Sequence, residues 1–307
     1  MARLMFVGQA VVDHCFEVEA FSRQGGKQVA SGFRSEAGGL ATNAARAAQR
    51  LRAADGPTIA LCAAVGADAA GQWLLEQLRA DGLELSALRQ VSGARTAVSA
   101  VLADASGERQ IHNFRGSAYE SAAPPSALEL NGCNAVLADP RWPRAAEAAL
   151  RWARAHGAIS MLDAEVAPTD VLRALVPLAS WVVFSTDGLA AWAGDRAPTP
   201  VEALHRLAAA AGLPRELIVT QGPAGLSWCR PDGSVRQLPA FEVAVADSNG
   251  AGDVFHGALL LALAEGRAPE VAVRRAMAAA ALACTRAGGA AAAPNRAELE
   301  HYLRHQP

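Results

Sequence analysis

The segment Asp247-Ser248-Asn249-Gly250-Ala251-Gly252-Asp253 stands directly before a long run rich in alanine and leucine. A helix that begins at about Ala251 would direct its unpaired amide groups and the positive end of its dipole at an anion in front of it. The two glycines of the segment would let the backbone approach such an anion closely. The pattern therefore predicts a phosphate site, with an ordinary N-capped helix after a turn as the alternative interpretation.

Asp253 falls in the first turn of this predicted helix, beside the predicted phosphate. A carboxylate next to a bound phosphate is unfavourable unless it has a chemical task, and accepting the proton of an attacking hydroxyl is such a task. We therefore predict that Asp253 is a general base. The amides of Gly250, Ala251 and Gly252 are predicted to form an anion hole for a transferring phosphoryl group.

A second glycine-rich segment, Gly38-Gly39-Leu40-Ala41-Thr42-Asn43-Ala44-Ala45, opens another predicted helix about two hundred residues earlier. The pair of segments resembles the two signatures of the ribokinase-like carbohydrate kinases, also called the PfkB family. Asp13 after the first predicted strand, Val219-Thr220-Gln221-Gly222-Pro223-Ala224-Gly225, and Asp253-Val254-Phe255-His256-Gly257 extend the resemblance over essentially the whole chain. One such motif would be weak, whereas several in the order of the family are specific.

The resemblance implies an enzyme that transfers the γ-phosphoryl group of ATP to a sugar hydroxyl. It also implies that Thr220, Gln221, Gly222 and Gly225 lie along the nucleotide. For these four residues, a plain strand-to-turn transition is the alternative interpretation.

On the sugar side, the resemblance implies that Asp13, Gly38, Gly39 and Asn43 face the acceptor. Asp13 can accept hydrogen bonds from two hydroxyls, and Asn43 can both donate and accept. The alternative for Asn43 is an ordinary polar residue in the first turn of a helix.

Mg²⁺ is expected with ATP, because the triphosphate charge has to be screened during transfer. Many relatives carry an Asn-x-x-Glu element that organises magnesium through water, but the aligned region here, Phe184-Ser185-Thr186-Asp187-Gly188-Leu189, lacks the glutamate. The protein ligands of the metal are therefore unknown, and Asp163 and Glu165 after a predicted strand are an alternative for its surroundings. A monovalent cation near Asp247, common in the family, is a further implication of the resemblance.

Three residues bear on the choice of sugar. Lys27, Asn113 and Arg141 resemble the anion-recognising positions of the sulfofructose kinases. One ammonium, one guanidinium and one amide can surround a tetrahedral anion with charge-assisted donors. The leading acceptor is thus 6-deoxy-6-sulfofructose, with its 1-phosphate as the product. The alternative is that Lys27 is merely solvated and that Arg141 caps a strand end.

Other functions stay open at this point. Within the kinases, the alternatives are an enzyme for an uncharged ketose, like a fructokinase or ketohexokinase, and one for a 2-keto-3-deoxy sugar acid. Outside them are an NAD-dependent dehydrogenase and an inactive sugar sensor. The run Val7-Gly8-Gln9-Ala10-Val11-Val12-Asp13 lacks the spaced glycines of a dinucleotide-binding turn, and a sensor would tolerate loss of Asp253, which is present.

Strand and helix candidates alternate along the chain, which predicts an α/β fold with a mostly parallel sheet flanked by helices. The strand candidates are Leu4–Gly8, Thr58–Val65, Ala135–Ala138, Ile159–Asp163, Trp181–Phe184 and Glu216–Thr220. The helical candidates are Gly39–Arg52, Gly71–Asp81, Arg144–His156, Pro168–Val176, Pro200–Ala211 and Ala251–Arg286 with a break near Gly266. Segments 14–36 and 95–116 are predicted to form a small β-sheet lid. We expect one ribokinase-like domain over residues 1–307.

The composition limits the partners and the compartment. A net charge of −2 does not favour nucleic acid or an anionic membrane, and no apolar run approaches the roughly 20 residues that span a bilayer. We expect a cytoplasmic protein whose five scattered cysteines are buried free thiols. Exposed edges of the lid strands predict a homodimer through the lid.

Overall fold

The structure is a computed structural model that describes residues 2–21, 25–104, 108–194, 199–211 and 216–306. Residues 22–24 and 105–107, inside the two predicted lid segments, lie outside the described residues. The described strands are β1 (Arg3–Val7), β2 (Val11–Glu17), β3 (Gly32–Gly38), β4 (Thr58–Cys62), β5 (Ala64–Gly66), β6 (Arg89–Val91), β7 (Ala97–Ala103), β8 (Arg109–Phe114), β9 (Cys133–Ala138), β10 (Ile159–Ala164), β11 (Trp181–Ser185), β12 (Glu216–Thr220), β13 (Leu226–Cys229) and β14 (Val235–Leu238).

The helices alternate with the strands of the central sheet. They are α1 (Leu40–Leu51), α2 (Ala69–Ala80), α3 (Ala118–Ser121), α4 (Ala127–Leu130), α5 (Pro143–Ala155), α6 (Thr169–Leu175), α7 (Thr186–Ala193), α8 (Pro200–Ala211), α9 (Ala251–Ala264), α10 (Pro269–Cys284) and α11 (Arg296–His305). Short 3₁₀ turns cover Val176–Leu178, Gly222–Ala224 and Gly289–Ala292. The predicted break of the last long helical run near Gly266 is confirmed, since α9 ends before that glycine and α10 begins after it.

The central sheet has eight strands in the order β14-β13-β12-β11-β10-β9-β1-β4. The six strands that follow β13 in this order, β12 to β4, are all parallel to their neighbours among themselves. Strands β13 and β14 add an antiparallel hairpin at the other edge, next to β12. The carboxyl ends of the parallel strands therefore lie along the same edge, where ligands of open α/β sheets gather. The predicted α/β fold is confirmed.

A separate four-stranded sheet has the order β3-β2-β7-β8, which confirms the predicted small sheet. Asp13 follows the first strand, as predicted, and it lies inside β2, so the small sheet begins at Val11 instead of residue 14. The strand predicted over Thr58–Val65 is also divided, with β4 in the central sheet and β5 paired to β6.

Helices cover both faces of the central sheet. Buried residues of α1, α2, α9, α10 and α11 pack in one core on one face, and those of α5, α6, α7 and α8 form a second core on the other. Helices α1 and α9 approach unusually closely, since a methyl group on Gly257 would lie 2.1 Å from the carbonyl oxygen of Ala44. This approach fixes the first turns of the two helices beside each other.

All five cysteines are free thiols, and four of them are buried; Cys284 is partly buried, so the prediction of buried free thiols holds with that one exception. Within the part of the chain that the structure describes, no helix has the length and apolar character needed to cross a membrane.

Candidate active site

The turn before α9 is held by one carboxylate. Asp247 Oδ1 accepts from the amide of Asn249 (2.8 Å), and its Oδ2 accepts from the amides of Gly288 and Gly289 (3.3 Å each). These hydrogen bonds help to keep the pKa of Asp247 below its usual value, although burial opposes them. Asp247 thus fixes the geometry of the turn from which α9 starts.

The glycines of this turn differ in what they face. Gly250 has a left-handed φ of 67°, and a side chain there would meet the backbone nitrogen of Ala290 at 2.8 Å. Gly252 faces open space, since a Cβ atom built on it would meet nothing within 4 Å. The amide of Ala251 makes only a long contact, 3.4 Å, with the carbonyl oxygen of Ser248. The start of α9 can therefore receive an anion over Gly252.

The two predicted motifs meet at Asp253. Asn43 Nδ2, in the first turn of α1, donates a hydrogen bond of 2.8 Å to Asp253 Oδ2, although 210 residues separate them in the chain. Asp253 is 8% exposed. Burial raises its pKa to about 8, the Asn43 hydrogen bond opposes the rise, and the charges of Asp139 and Glu165 add to it. The carboxylate is therefore strongly basic for an aspartate.

A second carboxylate, Asp139, joins three elements at the end of β9, and the sequence prediction missed it. Its Oδ2 accepts from the amides of Gln9 (2.8 Å) and Ala41 (3.0 Å), and its Oδ1 accepts from that of Arg141 (2.8 Å). Gly8 is required beside it, because a Cβ atom there would lie 2.1 Å from Asp139 Oδ2. The sequence did contain a signal for this residue, because Asp139 is an acidic residue directly after the buried strand β9.

The small sheet presents one polar row to this site. Glu36, Asp13, Ser99 and Asn113 occupy matching positions on β3, β2, β7 and β8, so their side chains share a face. Ser99 donates a hydrogen bond to Asp13, and Asn113 Nδ2 donates to Ser99 Oγ at 2.9 Å. Burial raises the pKa of Asp13, and the charge of Glu36 adds to the rise. The sequence predicted Asp13 and Asn113, but not the serine that links them.

Gly38 and Gly39 lie where a side chain would collide with Asp13 of this row or with the backbone at Gln9. A Cβ atom on Gly38 would be 1.9 Å from Asp13 Oδ2, and one on Gly39 would be 2.3 Å from the carbonyl oxygen of Gln9. Gly39 also has a φ of 104° as the residue before α1. Both glycines are thus required by the protein itself, whether or not a ligand lies against them.

The structure does not join Lys27 to Arg141. Lys27 is exposed, and within the described residues it forms no hydrogen bond or ion pair. Arg141 donates through Nη1 to the carbonyl oxygen of Val166 at 2.8 Å, and its charge lowers the pKa of Asp139 and Asp163 against the larger effect of burial. Arg141 therefore lies at the site, whereas Lys27 stays a prediction without a contact.

The predicted nucleotide residues form the end of β12 and the turn after it. Thr220 Oγ1 donates to the carbonyl oxygen of Phe184 at 3.2 Å, and Gln221 Oε1 accepts from Ser227 Oγ at 3.0 Å. Gly222 has open space where a side chain would project, but a Cβ atom on Gly225 would lie 2.0 Å from the carbonyl oxygen of Leu238. Gly225 therefore has a structural requirement of its own.

Neither predicted metal residue is assigned as a ligand. Asp163 is 2% exposed, and its Oδ2 atom lies 3.5 Å from His256 Nδ1. Glu165 is partly buried near Asp253, to whose raised pKa its charge contributes. Ser185, in the aligned region that lacks the glutamate, caps α7 by accepting from the amide of Gly188 at 2.9 Å.

A residue of the small sheet that the sequence did not single out reaches the turn before α9. Arg109, at the start of β8, forms an ion pair with Asp247. The pair joins the small sheet to the carboxylate that fixes the turn.

Comparisons with known proteins agree with this architecture. A family model described as pfkB family carbohydrate kinase matches residues 1–296. The ribokinase of Bacillus subtilis is 25% identical over 309 residues, which cover 99% of this chain and 100% of the relative. The ribokinase of Schizosaccharomyces pombe is 24% identical over 280 residues, or 88% of this chain and 87% of the relative.

Solved structures give the same result. The crystal structure of a presumed ribokinase from Agrobacterium tumefaciens superposes with a TM-score of 0.92 at 35% identity, covering 99% of this chain and 97% of the other. The ribokinase of Arabidopsis thaliana, complexed with ribose and ATP, superposes with a TM-score of 0.87 over the whole of both chains. Its identity of 23% supports the fold alone.

Proposed function

The chain belongs to the pfkB family of carbohydrate kinases, and from that premise we propose that it transfers the γ-phosphoryl group of ATP to a hydroxyl of a ketohexose-type sugar. The observation that carries this proposal is the hydrogen bond between Asn43 and Asp253, because it joins the two motifs at the start of α9. Kinase membership removes the reason for considering a dehydrogenase.

In the proposed reaction, Asp253 accepts the proton of the acceptor hydroxyl as the oxygen attacks phosphorus. Asn43 orients the carboxylate through Oδ2, which leaves Oδ1 to face the hydroxyl. The amides at the start of α9 would stabilise the charge on the transferring group. The space in front of Gly252 is open, so the group can approach them. Gly250 contributes chiefly through the turn, since its φ and its contact with Ala290 require a glycine.

Magnesium is proposed with ATP, where it would screen charge on the phosphates. Within the described residues, the acidic groups nearest to the start of α9 are hydrogen-bonded or buried, so we assign no protein ligand. A monovalent cation near Asp247 remains a proposal, and the ion pair of that carboxylate with Arg109 already supplies one positive charge there.

For the acceptor, we keep 6-deoxy-6-sulfofructose as the leading proposal. Arg141 near Asp139 and Asn113 in the polar row support recognition of an anionic group at C6, while Lys27 in the partly described β2–β3 connection has no contact that supports it. A pentose such as ribose is the second proposal, because the full-length relatives are named ribokinases.

Phosphorylation of a sugar panel with ATP and Mg²⁺ tests the acceptor. The panel contains 6-deoxy-6-sulfofructose, fructose, fructose 6-phosphate, ribose and a 2-keto-3-deoxy sugar acid. Lys27→Ala and Arg141→Ala should each lower kcat/KM for the sulfosugar by at least about tenfold and that for fructose much less, because fructose presents no anion. Equal losses on both sugars, or a higher kcat/KM for ribose in the native protein, would end the sulfosugar proposal.

We further propose that the four-stranded sheet acts as a lid and pairs with the same sheet of a second copy. Phe33 and Phe114 lie on the face opposite to Asp13 and are 62% and 49% exposed. Exposed aromatic side chains and sheet edges favour association. Light scattering at micromolar concentration should give a dimer, and a monomer would contradict this proposal.

A further inference from the structure

Behind Asp253, two buried polar side chains lack hydrogen-bond partners among the described residues. His256, one turn further along α9, is 5% exposed, and both of its ring nitrogens are unpartnered. Asp163 Oδ2, at the end of β10, is also unpartnered, and it lies 3.5 Å from His256 Nδ1. Buried polar groups without partners are costly, so a pair of them beside a reactive carboxylate requires an explanation.

We propose that Asp163 and His256 act as one neutral pair of positioning residues, in which a protonated Asp163 donates to the imidazole and leaves Asp253 as the carboxyl group of the cluster that ionises to act as the base. This inference rests on the proposed role of Asp253 as the base. A shortening of 3.5 Å to an ordinary hydrogen-bond length needs only a small side-chain movement. The carbonyl groups of Val183 and Gly252 lie near the imidazole but outside ordinary hydrogen-bond geometry, and they are available to its other ring N–H.

The surrounding charge favours this location of the proton. Burial lowers the pKa of His256 to about 4, while burial and then the charge of Asp253 raise the pKa of Asp163 well above its usual value. Both directions take the proton from the ring and give it to the carboxyl group. The other charged groups that face Asp163 or Asp253 are Asp13, Asp139, Glu165 and Arg141.

The pair matters for Asp253 because two buried carboxylates this close cannot both be ionised at low cost. If His256 did not accept from Asp163, the Asp163 hydroxyl would turn to Asp253 instead. A carboxylate that already accepts such a hydrogen bond is a weaker base and is less free to face the sugar. The imidazole therefore keeps Asp253 available.

A metal ion is the rival occupant of the same cluster. Asp163, Asp253 and His256 each offer one donor atom, and these atoms lie within 4.8 Å of one another. An ion there would occupy the carboxylate that has to accept the proton of the sugar hydroxyl. The proposed role of Asp253 as the base therefore favours the neutral pair.

The test compares three variants with the native protein. His256→Leu should lower kcat by about tenfold or more and move the acid limb of the kcat/KM profile to lower pH, while KM for ATP stays within about twofold. Asp163→Asn keeps a donor for the imidazole, and its kcat should stay within about threefold of the native value. The double variant His256→Leu, Asp163→Leu removes the competing hydroxyl and should recover most of the loss of His256→Leu.

His156→Leu, which changes an exposed histidine directly after α5, is the matched control and should leave kcat and the pH profile native. A native profile in His256→Leu, or a double variant as impaired as the single one, overturns the proposal. Treatment with EDTA followed by assay with Mg²⁺ alone should have no effect. A loss that Mn²⁺ or Zn²⁺ restores would overturn the pair in favour of a metal site.

Nitrogen-15 NMR of the His256 ring separates failure of this inference from failure of the proposed function. The ring should remain neutral from pH 6 to pH 8, whether or not any sugar of the panel is phosphorylated. An imidazolium at pH 7 overturns the pair even in an active kinase. A neutral ring, together with the expected variant profiles, supports it.

Discussion

At the scale of single residues, Asp253 combines two properties that are hard to combine. It is buried, which raises its pKa to about 8, and it accepts a hydrogen bond from Asn43, which favours the ionised form. A base of this kind is strong once it is deprotonated. Its strength depends on the carboxyl groups around it remaining hydrogen-bonded or protonated.

Replacing Asp253 with Asn keeps the size of the side chain but removes the proton acceptor. We expect turnover to fall by about 10²-fold or more, while the affinity for ATP persists. Steady-state kinetics and calorimetric titration with an ATP analogue measure the two effects. Near-native turnover would show that another group is the base.

Replacing Gly252 with Val places a branched side chain in the open space before α9. Since a Cβ atom there meets nothing within 4 Å, the fold should persist. Transfer should nevertheless fall by about 10²-fold or more, because the amides can no longer approach a phosphoryl group. Gly252→Ala should give a smaller loss. If Val supports native kcat, the anion does not bind at this position.

At the scale of elements, the site depends on the contact between α1 and α9. Gly257 and the backbone at Ala44 allow these helices to approach until Asn43 reaches Asp253 one turn earlier. The small residues where α1 and α9 cross therefore affect the proposed catalysis, because they allow Asn43 to reach the proposed base. None of them is proposed to contact a reacting atom.

Gly257→Ala tests this dependence. Alanine would favour the isolated helix by about 1 kcal/mol, but its methyl group would lie 2.1 Å from the Ala44 carbonyl oxygen and force the helices apart. We expect a net loss of about 1–3 kcal/mol in unfolding free energy, together with lower kcat. Urea unfolding and kinetics on the same preparation measure both. Unchanged stability would mean that the helices can separate without cost.

The elements also show what sequence can predict. Glycine turns and hydrophobic periodicity predicted α1, α9, the parallel strands and the small sheet, because these signals are local. They did not predict Asp139 as a three-way acceptor, nor Arg109 and His256 near the site. Those roles depend on which strand ends become neighbours, and this is a property of the sheet order. The antiparallel β13–β14 hairpin was missed as well.

At the scale of the whole molecule, the buried carboxyl groups oppose folding at neutral pH. Burial raises the folded-state pKa of Asp13, Asp139, Asp163 and Asp253. A raised folded-state pKa contributes stability that is fully present below the unfolded pKa and is lost as the pH rises through the folded value. For Asp253 that window runs from about 4 to about 8.

Asp253→Asn should therefore be more stable than the native protein at pH 8, by at least about 1 kcal/mol. The difference should shrink as the pH falls towards 4, because the carboxyl group is then protonated in the folded state and approaches its ordinary pKa of 3.8 in the unfolded state. His256 contributes in the opposite direction, but it does so in both proteins and cancels in the comparison. Urea unfolding at pH 5 and pH 8 measures the difference. A pH-independent difference would contradict the raised pKa.

Lys27, which is exposed and is the only lysine of the sequence, also gives the chain a site for selective chemical labelling. Apart from the amino terminus, it offers the single primary amine available to a succinimidyl ester. A fluorophore attached there would report from the connection between β2 and β3, at the border of the small sheet. Its anisotropy could then follow this sheet when nucleotide is added, without the introduction of a cysteine among five native thiols.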